Sequence, residues 1–66
     1  MDKDFIITSI GSYEFRLENR KADAMAATAR GYFLSAQDAL NDCIRFEAVI
    51  RELKLQQERM EVENDD

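Results

Sequence analysis

"DFIITSIGSYEFRLE", residues 4–18, decides the fold class, because its apolar residues can be read at two different periods. The stretch is rich in β-branched and aromatic types, which favour a pleated, half-buried strand. Read at period two, Phe5, Ile7 and Ser9 take one side of a first strand, 4–10, and Ile6, Thr8 and Ile10 take the other. Gly11-Ser12 supplies a turn residue free to adopt positive φ. In "YEFRLE", 13–18, Tyr13, Phe15 and Leu17 share one face while Glu14, Arg16 and Glu18 share the other, the alternation of a half-buried antiparallel strand. The two segments therefore read as a β-hairpin.

Working outward, "NRKAD" at 19–23 is polar and suits a loop. "AMAATA" at 24–29 favours helix by its alanine content, but it is short and ends at Arg30-Gly31, so a third strand is expected, with Met25, Ala27 and Ala29 opposed to Ala24, Ala26 and Thr28. The corner Gly31-Tyr32-Phe33 then reads as structure: a permissive backbone position followed by apolar area that covers the end of a core.

Ser35 is the expected N-cap of a helix, with Asp38 three residues on in an abbreviated capping box. From there to about Met60 the chain contains neither Gly nor Pro, and Glu47 and Arg51 are a well-oriented i,i+4 pair. A helix of about 25 residues, roughly 38 Å long, follows. The expected fold is α+β: a three-stranded antiparallel sheet followed by one long C-terminal amphipathic helix, a single ββα-type domain over 1–60 with an acidic, frayed tail over 61–66.

Such a helix outruns three short strands. Ala39, Cys43, Phe46, Ile50, Leu53, Gln57 and Met60 recur at spacings of four and three, the pattern of a seam between helices. A second apolar line, Leu40, Ile44, Val49 and Leu55, lies beside it. A helix packing only on its own sheet would show a similar pattern, but the apolar residues beyond Ile50 extend past the sheet. The expectation is thus a homodimer, with Phe46, Ile50, Leu53, Gln57 and Met60 at its interface and Gln57 fixing register. A chain of 66 residues needs such help, because a lone core of this size is marginal.

The order of elements, the "YEFRLE" strand, the small-residue segment ending in Gly31-Tyr32, and a helix begun by Ser35 with Ala39 and Ile44 on its inner face resemble the YegP-like family of small domains over residues 4–46. That resemblance implies a ββ hairpin, a third strand and one helix, paired with a second copy, and no established activity.

Composition bounds the chemistry. The chain has no His and one Cys, and its formal net charge is −5. General acid–base catalysis lacks its usual group, metal binding lacks a ligand set, and Gly11 and Gly31 form no phosphate-cradling loop, so neither enzyme activity nor a cofactor is expected. Cys43, on the apolar stripe, reads as a buried and inert thiol. The excess of acid lies in the second half, much of it beyond Gln57, where Glu58, Glu61, Glu63, Asp65 and Asp66 face only Arg59. That surface repels phosphate and attracts basic proteins. With no signal-like or membrane-spanning run, the expected location is the cytoplasm. The expected function is a protein-binding module acting as a homodimer, with Glu14, Arg16, Glu18, Glu58 and Glu61 meeting a partner. A sharper version is an inhibitor or adaptor that occupies the basic, nucleic-acid-binding surface of its target. The alternative is a structural or regulatory dimer in which the acidic residues meet nothing.

Overall fold

The computed structural model describes residues 2–63, and it contains two helices and no strand among them. Helix α1 spans Lys3–Ala29 and α2 spans Phe33–Glu63, packed against each other as an antiparallel hairpin. The molecule is a rod 55 Å long and 14 by 13 Å in section. The expected α+β fold is therefore corrected: strands 4–10, 13–18 and 24–29 are all consecutive turns of α1. The fold implied by the YegP-like resemblance goes with them.

A seven-residue pattern longer than any strand overrides the local alternation. Ile6, Ile10, Tyr13, Leu17, Arg20, Ala24 and Ala27 recur at four and three along α1, and all are buried or half-buried. Within 13–18 the two periods share Tyr13 and Leu17 and differ in Phe15, which is exposed. Gly11 is helical and does not turn the chain, since Gly31 alone among the described glycines has positive φ. The β-branched residues at 6–10 lower helix propensity by only tenths of a kcal/mol each, less than burial of Ile6 and Ile10 returns. Asp2 caps α1 with its Oδ1 accepting from the Asp4 N–H at 3.1 Å, and the Asp4 carboxylate stands in the positive first turn.

The turn is closed by backbone alone. Gly31, at φ 79°, donates its N–H to the Thr28 carbonyl at 3.0 Å, and Tyr32 donates to the Ala27 carbonyl at 2.8 Å, the paired bonds of a Schellman motif. The Tyr32 carbonyl then accepts from the Ala36 N–H at 2.9 Å, so α2 begins at once. Ser35, expected as its cap, stands inside the first turn. At the other end α2 continues through 61–63, and 64–66 of the expected tail lie outside the described residues.

The seam of α2 is the one its spacing predicts, Ala39, Cys43, Phe46, Ile50, Leu53, Gln57 and Met60, preceded by Ala36. It faces α1 of the same chain. Its side chains change size along the rod. Near the turn the buried residues are Ala24, Ala36, Ala39 and Cys43; toward the chain ends they are Ile6, Ile10 and Ile50, with Tyr13, Leu17, Leu53 and Met60 packed around them. The Tyr13 and Phe46 rings meet at 5.9 Å with planes tilted by 54°.

Candidate interaction surface

No group of three or more His, Cys, Asp or Glu able to hold a metal occurs among the described residues. No helix among them is long and apolar enough to cross a membrane. Cys43 is a free thiol buried in the seam. What the hairpin does present is apolar surface. A two-helix rod has one seam and cannot cover a second stripe, so the line Leu40, Ile44, Val49 and Leu55 stands in solvent rather than on a sheet. The corner expected to cover a core does the opposite: Tyr32, Phe33 and Leu34 are 61%, 70% and 80% exposed at the tip of the turn.

The exposed residues sort onto two flanks. A residue that follows a seam position lies about 100° further round its helix, and in an antiparallel pair this rotation carries both helices toward the same side. The flank so defined carries Ile7 and Met25 from α1 with Leu40 and Ile44 from α2, all exposed. Met25, Thr28 and Ala29 line one apolar depression there with Leu40. Farther from the turn the same flank becomes charged, and Glu14, Glu18, Glu47, Arg51 and Lys54 surround a second depression. The residues that precede seam positions form the other flank. Among the described residues there, Phe5 and Val49 are the only large aliphatic or aromatic ones, beside Ser9, Ser12, Asp23 and Asp42.

The residues nominated by sequence separate accordingly. Phe46, Ile50, Leu53, Gln57 and Met60 lie in the intrachain seam, so their apolar surface is already in use within one chain. Glu14 and Glu18 share the charged part of the first flank; Glu14 reaches Lys54 at 3.9 Å and Glu18 reaches Lys21 at 3.5 Å. Arg16, expected between them on a sheet face, is instead about 200° round the helix from Glu14, with its guanidinium 5.1 Å from the centre of the Tyr13 ring. Glu61 pairs with Lys3 at 3.7 Å across the open end. Glu58 lines a shallow depression with Leu55, Arg59 and Val62. Sequence reasoning missed Ile7, Met25 and the tip residues as surface. The signal for Ile7 and Met25 was the position of each one step past a seven-residue seam in 3–29.

No protein-family model matches the chain, and neither a curated protein nor a solved structure matches it.

Proposed function

We propose that the hairpin is a non-enzymatic, cytoplasmic protein-interaction module that works as a homodimer. The observation that carries this reading is the large apolar surface left over once the seam has formed. The accessible surface of the chain is 5137 Å². A compact protein of its mass exposes about 4,300 Å². The surplus, about 800 Å², equals the patch that each partner contributes to an interface of standard size. The exposed apolar side chains include Ile7, Met25, Leu40 and Ile44 on one flank and Tyr32, Phe33 and Leu34 at the tip, clustered rather than scattered singly.

Pairing also supplies what a single two-helix layer lacks, a core with side chains on all sides. In this reading the tip and the acidic end around Glu58 and Glu61 remain for a second protein. A basic, nucleic-acid-binding target fits the net charge. The ion pairs of Glu14, Glu18 and Glu61 within the chain reduce the acid free to mimic nucleic acid, which favours the tip as the principal contact. Sedimentation across a concentration series tests the dimer; a helical monomer at every concentration overturns it. Capture of the partner at low and moderate salt separates the two contacts, since a charge-led contact weakens steeply and an apolar one does not.

A further inference from the structure

Going beyond the homodimer reading and independent of it, we infer that the Tyr32-Phe33-Leu34 tip docks on a lipid surface, entering the headgroup layer end-on while the rod stands away from the membrane.

The turn end differs from the rest of the molecule in what it presents. Tyr32, Phe33 and Leu34 are consecutive and exposed, and with Gly31 and Ser35 they line one depression at the end of the rod. Residues 24–37 contain a single charged side chain, Arg30, so this end is positive in a chain whose net charge is −5. The first carboxylates are set back. Asp38 lies five residues into α2 and Asp23 six residues before the end of α1, which places them about 8–9 Å from the tip at 1.5 Å per residue.

That profile matches the depth of an interfacial contact. Segments resting in a bilayer interface bury their apolar side by about 5–10 Å. Entry by up to about 8 Å brings in no acid, and the long Arg30 side chain can return its guanidinium to the phosphates. The Tyr32 ring, an apolar body with a polar end, suits the same boundary. Glu58 and Glu61 lie at the opposite end of the 55 Å rod. That is many times the screening length of about 8 Å at physiological salt, so their charge does not oppose the approach.

Elsewhere the exposed apolar residues sit beside charge. Phe15 stands between Glu14 and Arg16, Ile44 is followed by Arg45, and Leu55 and Val62 border Glu58 and Arg59. A rod lying flat would press carboxylates into lipid with them. A protein suits the tip less well than a bilayer does. The rod end, 14 by 13 Å in section, offers well under the roughly 800 Å² that each partner gives a standard protein interface, whereas lipid needs no matching shape. The protein contact of the preceding reading then falls to the acidic end, held out from the lipid by the length of the rod.

The chain contains no Trp, so Phe33→Trp supplies a single fluorescent reporter. With vesicles of phosphatidylcholine and a minority of phosphatidylglycerol its emission shifts to the blue, and the unmodified chain floats with the same vesicles. Phe33→Glu combined with Leu34→Glu keeps the helical signal and lowers vesicle affinity at least about tenfold. Phe15→Glu, midway along the rod, leaves that affinity unchanged. Absence of flotation at every lipid concentration overturns the lipid contact and returns the tip to a protein partner; sedimentation without lipid reads the homodimer separately. Flotation that survives the tip variant overturns the choice of the tip, and an equal loss in Phe15→Glu overturns the end-on pose.

Discussion

The guanidinium of Arg20 crosses the hairpin to Asp42, with Nη2 and Nε lying 2.8 and 2.9 Å from Oδ2 of its carboxylate. Arg20 occupies a seam position, between Leu17 and Ala24, where an aliphatic residue would ordinarily sit. A second nitrogen, Nη1, holds Asp23 at 3.1 Å on its own helix. The hydrogen bonds it donates to Asp23 and then to Asp42 hold the guanidinium above its ordinary pKa, so it stays charged throughout the working range of pH. Sliding α2 by one turn would put Arg45 in the place of Asp42 in one direction and Asp38 in the other, so the pair opposes the first slip and tolerates the second.

A double-mutant cycle with Arg20→Gln and Asp42→Asn measures that relationship. Both side chains keep about a third of their surface in water. The expected coupling is therefore small, favourable and reduced toward zero at about 1 M salt. Coupling indifferent to salt would mean that the pair acts through packing alone.

The two kinds of exposed and buried leucine respond differently to charge. Leu53→Glu puts a carboxylate into the intrachain seam and should unfold the hairpin, seen as loss of the helical circular dichroism signal. Leu40→Glu should leave helicity intact and lower the sedimentation coefficient. Equal loss of helix in both variants would contradict the division between seam and flank.

Gly31→Ala tests the turn. A side chain at φ 79° is strained even though nothing lies within 4 Å of the added Cβ. Destabilisation of about 1–2 kcal/mol is expected, because the left-handed conformation costs an L-residue that much. Thermal denaturation checks it, at roughly 4–8 °C per kcal/mol for a domain of this size.

Gly11→Ala has the opposite sign. Gly11 lies in the interior of α1 with open space around its missing Cβ. Alanine there should stabilise by about 1 kcal/mol through helix propensity. A fall in melting temperature would show that the strand-and-turn reading of 4–18 describes the chain better than α1 does.

Ile50→Ala removes the α2 residue that packs against Ile6 and Ile10. Losses of about 2–5 kcal/mol are typical of such truncations, and a chain this short has little more in reserve. Urea denaturation is expected to show a chain largely unfolded without denaturant.

The α2 seam was legible because nothing competes with it: from Ala39 to Met60 the four-three spacing runs unbroken by Gly, Pro or clusters of β-branched residues. The first half misled for the opposite reason. Tyr13 and Leu17 satisfy both periods, Phe15 completes the strand pattern, and Gly11-Ser12 imitates a hairpin turn. Only a window from Ile6 to Ala27 shows the repeat, and its later members, Arg20, Ala24 and Ala27, are not hydrophobic enough to announce it. The partner of the α2 seam was misassigned in consequence. With α1 taken for a sheet too short to cover it, a second chain was the remaining candidate, whereas the cover is α1 itself. The nominated charges of 13–18 shifted with the change of period, which keeps Glu14 and Glu18 together and sends Arg16 away.

The gradient of side-chain size along the seam bears on how the chain is made. Synthesis delivers Ile6 and Ile10 first, yet their counterpart Ile50 comes forty or more positions later, while the contacts available early, around Ala24, Ala36 and Ala39, join small groups that release little water. The newborn amino-terminal half therefore stays without its large apolar cover until Ile50 has been synthesised, whatever small contacts form near the turn.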